Sequence, residues 1–183
     1  MPSPRRFSAI VLTGGTAARM DGADKAGLRI GGVTLLERAL AAVADADHVV
    51  VAGDPVATSY PVEFTREHPA GGGPAAGLLA GVEVLGGTVE IVVVLAVDMP
   101  HVDSGTVDRL LAAVSHDGAV LVDAAGRRQL AAAYRVAALP RPEAASGLSM
   151  RRLVQDLDLV EVASAGDEAA DVDTWAELRR LES

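Results

Sequence analysis

The chain has 183 residues, half of them hydrophobic and 22% charged, which is enough apolar material for one full core and too much for a disordered segment. A formal charge of −9 with only 3% aromatic residues lacks the basic and stacking surface that nucleic acid requires, and would be repelled by an anionic membrane. Cysteine is absent, so disulfide frameworks, thiol nucleophiles and thiolate metal sites are excluded, and the composition fits the cytoplasm.

At the amino terminus Arg5 and Arg6 precede an apolar run too short for a signal peptide, and no later run approaches membrane-spanning length. Residues 7–12 are apolar, partly β-branched and stopped by Gly14-Gly15, so they predict a buried first strand. After the loop that follows, residues 28–30 predict a short extended piece closed by a Gly31-Gly32 turn. From Thr34, a natural helix cap, Leu35, Leu36, Ala39, Leu40 and Val43 fall on one helical face. Residues 48–52 and 61–65 predict strands, and residues 75–85 a helix burying Leu78, Leu79, Val82 and Leu85. Residues 91–97 are apolar on both alternations, as the centre of a parallel sheet requires, and stop at Asp98-Met99-Pro100. Residues 107–114 are helical, residues 119–122 and 130–136 are strands joined through a turn at Gly126, and residues 148–157 predict a helix carrying Arg151 and Arg152. A strand over 159–162 and a helix over 174–181, after Asp171-Val172-Asp173, complete the chain.

Strands alternating with helices predict an α/β fold: a Rossmann-like three-layer sandwich with a mostly parallel sheet and one antiparallel edge element around Gly126. With no repeat and no long linker, residues 1–183 are expected to form a single domain. Ligands in such sheets bind beyond the carboxyl ends of the strands. The unusual segments all lie there: residues 13–25, Gly53-Asp54, residues 67–74 and Asp98-Met99-Pro100, so they should line one cleft.

The loop from Leu12 and Thr13 to Lys25 is far longer than an ordinary βα turn of about 2–6 residues. Its adjacent glycines exclude the dinucleotide fingerprint, and the lack of a glycine before Lys25 excludes a Walker loop. Gly14 and Gly15 allow the backbone to approach phosphate oxygens, while Arg19 and Lys25 can offset charge on a departing pyrophosphate. The loop therefore reads as a nucleoside triphosphate cradle. Asp98, directly after the most apolar strand, suits a divalent metal shared with substrate phosphates; alone it reads equally as a turn aspartate. The glycine-rich loop from Glu67 through Gly73 to Pro74 opens a helix and can read a base edge or hold an anion, or serve as a connector; His68 within it has no expected catalytic part. Asp171 and Asp173 would point to the same side of an extended segment; one can cap the last helix, and the other can approach the metal or second substrate, with capping an equal reading. Arg151 and Arg152 can clamp an acceptor phosphate or form a solvated face. No nucleophile pairs with a base, and the four histidines show no ligand spacing, so covalent catalysis is not expected.

With these residues in view the chain resembles the molybdenum cofactor guanylyltransferases, within the larger family of sugar-nucleotide-type nucleotidyltransferases. Leu12 to Lys25 is similar to that family's L-A-G-G-x-x-x-R-M-G-x-D-K loop, Gly73-Pro74-Ala75-Ala76-Gly77 to its G-P-L-A-G motif, and Ala96-Val97-Asp98-Met99-Pro100 to its C-D-M-P segment. Ala133-Tyr134-Arg135 resembles a late strand of the family, and Asp171-Val172-Asp173-Thr174 stands where an N-x-N-T motif is usual. The chain departs from the pattern at Asp21, where glycine is usual, at Glu67, near an expected aspartate, and at the Asp-x-Asp, which is like the related cytidylyltransferases. Thr13-Gly14-Gly15 and the Gly-Pro-x-Ala-Gly segment favour guanine.

The resemblance implies transfer of GMP from GTP to the phosphate of molybdopterin with release of pyrophosphate. It implies Mg²⁺ as cofactor, with Asp98 and Asp173 as its ligands, and transient contact with cofactor-insertion proteins. Arg19, Lys25 and Asp98 would be catalytic; Leu12, Thr13, Gly14, Gly15, Lys25, Glu67, Gly73 and Asp98 would bind nucleotide. The alternatives are the same chemistry with CTP or a sugar-phosphate acceptor, and, in another class, a non-catalytic nucleotide-binding regulatory module.

Overall fold

The computed structural model describes residues 6–13, 25–67, 72–141 and 148–181. The first strand, β1 (Ser8–Leu12), is buried along its whole length. The next described residues form a single 3-10 turn, Lys25–Gly27, and then β2 (Arg29–Ile30) and β3 (Val33–Thr34), a small hairpin. Its two-residue turn is Gly31-Gly32, with φ of +58° and +82°, a conformation glycine adopts without a side-chain clash.

Helix α1 (Leu35–Ala42) starts at Thr34, whose hydroxyl accepts from the Glu37 amide at 3.0 Å while the Glu37 carboxylate accepts from the Thr34 amide at 3.3 Å. Strands β4 (Val49–Ala52) and β5 (Glu63–Thr65) follow, then α2 (Gly73–Leu85), β6 (Ile91–Ala96) and α3 (Ser104–Ala113). The rest is β7 (Gly118–Val122), β8 (Arg128–Arg135), a short α4 (Met150–Leu153), β9 (Leu159–Ala163) and α5 (Trp175–Leu181).

Seven strands form one twisted sheet in the order β5–β4–β1–β6–β8–β7–β9. β5, β4, β1 and β6 run parallel, β8 pairs antiparallel with β6, and β9 pairs parallel with β7. β7 and β8 form a hairpin held at both ends, by Arg135 N–H to Asp117 carbonyl at 2.9 Å and Asp123 N–H to Arg127 carbonyl at 3.0 Å. The strands approach so closely that a Cβ on Gly118 would lie 2.3 Å from the Ala133 carbonyl oxygen. The antiparallel strand expected at an edge thus lies third from it, because β7 and then β9 continue the sheet beyond it.

Alternate residues of each strand serve two separate cores, which makes the three layers. Ala9, Val11, Val51, Val93 and Leu95 face α1, α3 and α5; Ile10, Leu12, Val50, Val92 and Val94 face α2 and α4. α2 lies tight against β1: a Cβ on Gly81 would come within 2.7 Å of Ile10. That closeness corrects the expected buried face of this helix. Gly77 and Gly81 are buried with Ala75, Leu78 and Leu79, whereas Val82 and Leu85 are only half-buried. The helix expected over 148–157 is also shorter, because the Ser149 hydroxyl caps α4 and the chain passes into turns from Val154 to reach β9.

Beyond β9 the chain returns across the sheet to the end of β6. Glu168 fixes this return. Its carboxylate accepts from the Thr106 hydroxyl at 2.7 Å, from the Ala165 amide at 2.7 Å and from the Arg109 guanidinium. Burial alone would raise the Glu168 pKa, but these donors outweigh it and hold the value below the ordinary 4.5. A carboxylate with a depressed pKa contributes stability that is present above the unfolded value and lost as pH falls through the folded one. Glu168→Ala should therefore cost about 1.5–3 kcal/mol at pH 7, read by urea unfolding, and the gap should shrink in acid below the lowered pKa. An unchanged urea midpoint at pH 7 would remove this anchoring role.

Candidate active site

The parallel strands end on one edge of the sheet, and three charged side chains meet there. Lys25 opens the 3-10 turn, whose next residue, Ala26, is fully buried against the α1/α3 core. That anchor fixes the lysine backbone while its side chain, 10% exposed, extends to the end of β6. Asp98 stands on a tight turn. The Val97 amide continues the ladder to β1 by donating to the Leu12 carbonyl at 3.0 Å, and the Met99 amide folds back to the Ala96 carbonyl at 3.3 Å. Buried Met99 holds the far side of the turn, so Asp98 is left at the edge, half-buried.

Asp173 arrives from the carboxyl-terminal return. The preceding Val172 is fully buried, and its amide donates to the Asp98 carbonyl at 2.9 Å, which ties the two segments directly. The Glu177 carboxylate accepts from the Asp173 amide at 3.0 Å, the Thr174 amide at 2.8 Å and the Thr174 hydroxyl at 2.9 Å. The Thr174 hydroxyl in turn accepts from the Glu177 amide at 3.2 Å.

In this setting the Lys25 ammonium donates to Asp98 Oδ2 at 2.9 Å and to Asp173 Oδ1 at 2.7 Å, across 73 and 148 residues of sequence. Burial pulls the Lys25 pKa down, but the hydrogen bonds to Asp173 and Asp98 outweigh it, and the net shift is upward from 10.5. The stability this lysine adds is thus complete at neutral pH and lost only as pH rises through the raised value. Asp171 is pushed the other way from an easy ionisation. Burial first, then the charges of Asp173, Asp98 and Glu177, raise its carboxyl above the ordinary 3.8. Among the described residues the site is therefore rich in negative charge around the Lys25 ammonium.

Two carboxylates that converge on a single cation are suitable donors for a hard divalent ion. Among the described residues no group of three or more His, Cys, Asp or Glu side chains is arranged to hold a metal. An ion at Asp98 and Asp173 would complete its shell with substrate oxygens and water, as small divalent ions commonly do.

The structure brings Lys25, Asp98 and Asp173 together and sets Leu12 and Thr13 beside them at the end of β1. Leu12 is buried, and the Thr13 amide and hydroxyl both bond to the Ala52 carbonyl, at 3.1 and 3.2 Å. Glu67 lies half-buried just past β5, at the same edge. Gly73 begins α2 with φ of +75° and open space where a Cβ would stand. Gly14, Gly15, Arg19, Asp21 and His68 lie outside the described residues. Arg151 and Arg152 are exposed on α4; Arg151 borders a cavity of about 580 Å³ with Arg127 and Arg128.

The expectation that Asp171 or Asp173 caps the last helix is corrected. Thr174 and Glu177 cap it reciprocally, which leaves the Asp173 carboxylate for Lys25. The Thr-x-x-Glu spacing is the capping-box signal and was present in the sequence.

Comparison with known proteins agrees with this architecture. The MobA-like NTP transferase domain model matches residues 9–162. The chain belongs to this family, which is one of nucleotidyltransferases. It is similar to the molybdenum cofactor guanylyltransferase of Rhodobacter capsulatus, 32% identical over 97% of this chain and 95% of that one. A second relative of the same name, from Rhizobium johnstonii, is 36% identical over 67% of this chain and 59% of that one.

Among solved structures, molybdopterin-guanine dinucleotide biosynthesis protein A from Archaeoglobus fulgidus superposes with a TM-score of 0.75 at 22% identity, covering 96% of this chain and 97% of that one. Rv0371c from Mycobacterium tuberculosis H37Rv, solved in complex with manganese, gives 0.74 at 18% identity, covering 97% and 98%. Both show the same fold.

Replacing the Thr174 cap tests how the site is built. Thr174→Ala should cost about 0.5–2 kcal/mol and, by loosening the start of α5, raise hydrogen exchange at the Asp173 and Glu177 amides. Unchanged exchange at both would mean that the cap does not hold Asp173 in place.

Proposed function

We propose that this chain is a single-domain enzyme that transfers GMP from GTP to the terminal phosphate of molybdopterin, releasing pyrophosphate. The observation that carries the reading is the meeting of Lys25, Asp98 and Asp173 at the carboxyl edge of the sheet, from three distant parts of the sequence. A phosphate-binding cation and two metal-binding carboxylates in one place are what nucleotidyl transfer needs. The guanine and molybdopterin assignment is taken from the names of the relatives.

In this reading an acceptor phosphate oxygen attacks the α-phosphorus in line. The bond from that phosphorus to the bridging oxygen breaks, and pyrophosphate leaves with the electron pair. The attacking oxygen is already anionic near neutral pH, so no strong base is required, and the protein contributes position and charge stabilisation. Leu12, Thr13, Gly14 and Gly15 carry the nucleotide by their backbone, with Gly73 and Glu67 on the base side. Arg19 and Lys25 stabilise the departing pyrophosphate. Mg²⁺ would be held by Asp98 and Asp173 and would supply charge neutralisation at the phosphates. The protein works in the cytoplasm and passes its product by transient contact to proteins that insert the cofactor.

Pyrophosphate release with molybdopterin and each of GTP, CTP, ATP and UTP tests the assignment. GTP should give the highest turnover. A preference for CTP would transfer the chain to the cytidylyl branch, where Asp171-Val172-Asp173 has its likeness. Nucleotide binding without pyrophosphate release would make it a binding module. Lys25→Ala and Asp98→Ala should each lower turnover by about 10²-fold or more with the circular dichroism spectrum unchanged. Near-normal turnover in a variant would remove the role assigned to that residue.

A further inference from the structure

We propose that Lys25 is a lock on the metal site: without nucleotide its ammonium occupies the place between Asp98 and Asp173 that a divalent cation needs, so metal enters only with a nucleotide whose phosphates draw the lysine away. This rests on the transferase reading of the same site and adds an order of events to it.

The geometry makes the two uses of these carboxylates competitive. Asp98 Oδ2 and Asp173 Oδ1 both accept from the one ammonium, at 2.9 and 2.7 Å. An ion bound by both residues would stand within a few ångströms of that positive charge, where like charges repel strongly at the reduced dielectric of a half-buried site. Lys25 is the buried member of the trio, 10% exposed against 26% and 40% for Asp98 and Asp173. Leaving both carboxylates would strip its charge of its partners, so another anion is the natural group to receive it. Lys25 opens a turn whose next residue, Ala26, is buried in the core, so the ammonium is the part of the residue best placed to move. A triphosphate at the end of β1 supplies the receiving anion and brings the divalent ion that replaces the ammonium.

Linkage follows from this exchange. If nucleotide frees the carboxylates by capturing Lys25, nucleotide must tighten metal binding and metal must tighten nucleotide binding by the same factor. Where the locked form dominates, the apparent metal affinity of the free protein is reduced by the small fraction that is unlocked.

The test is Mn²⁺ titration of the whole, nucleotide-free protein, followed by the electron paramagnetic resonance signal of free Mn²⁺. Lys25→Met should bind Mn²⁺ at least about tenfold more tightly than the wild type, as expected if the lock is closed in nine molecules of ten. Lys25→Arg, which keeps the charge, should stay near the wild-type affinity. Adding Asp173→Ala to Lys25→Met should abolish the gain, which places the ion at this site. With the Mn²⁺ held by GTP in protein-free solution subtracted, GTP should then tighten Mn²⁺ binding to the protein by a larger factor in the wild type than in Lys25→Met. Should Lys25→Met fail to fold by circular dichroism, Lys25→Gln carries the same comparison.

Equal Mn²⁺ affinity in the wild type and the neutral variant, with GTP still tightening Mn²⁺ in both, would overturn the lock and leave the transferase reading standing. No effect of GTP on Mn²⁺ in any variant would overturn both.

Discussion

A buried ammonium is costly to hold unless its charge is matched, and Lys25 is matched twice. Asp98 and Asp173 reach it from opposite directions in the sequence, one off the central strand and the other off the carboxyl-terminal return. Much of the architecture can be understood as what keeps these three groups within hydrogen-bond distance. β1 and β6 are adjacent and wholly buried, so the turn after β6 has a rigid base. Ala26 pins the lysine end, and Val172, through its bond to the Asp98 carbonyl, pins the other. A small displacement of any one would leave a partly buried charge without its partner, so tethers to rigid elements are needed on all three sides.

The topology explains how the last part of the chain reaches the middle of the sheet. β8 runs against β6, so it can pair by a tight hairpin with β7, and β9 then adds in parallel on the far side. The chain leaves β9 at the carboxyl edge, the same edge at which β1 and β6 end. It has only to travel along that edge to meet Asp98. Glu168 holds the path against α3 midway, through Thr106 and Arg109. A purely parallel sheet built by successive helical crossovers would need a further helix to achieve this; the one reversed strand does it with a hairpin.

The strands were the most legible part of the chain because runs such as Ile91–Ala96 are apolar on both faces and belong only inside a sheet. The first helix was equally plain, since Thr34 marks its start and Leu35, Leu36, Ala39 and Leu40 mark its buried face. Errors arose where packing overrides pattern. α2 buries Gly77 and Gly81 because a helix that close to Ile10 has no room for a side chain, and a hydrophobicity count gives no weight to glycine. The helix after Ser149 stops early because it turns to feed β9, a tertiary demand that its Leu and Val spacing does not record. At the site, Asp98 was legible from its place after the most apolar strand. Asp173 was ambiguous, because a carboxylate before a helix is ordinarily a cap; only the box formed by Thr174 and Glu177 frees it, and contact with Lys25 spans 148 residues that no local pattern can bridge.

The charge balance of the site gives the lysine its particular weight. The protein is acidic as a whole, and Asp98, Asp171, Asp173 and Glu177 add a local excess of negative charge, which adds to the upward push that burial gives the Asp171 carboxyl. A bare polyphosphate gains little from approaching such a place, since the one described cation in contact with Asp98 and Asp173 is already committed to them. A polyphosphate carrying its own divalent ion meets a different surface. In the proposed reaction its metal would be attracted by the carboxylates while its oxygens would offer Lys25 an equivalent partner, so each charge that gave up a neighbour would find another. In the proposed reaction, the acidity that would repel the nucleotide alone would select for its metal complex, and the ion pair of Lys25 with Asp98 and Asp173 would be the means by which the site accepts that complex.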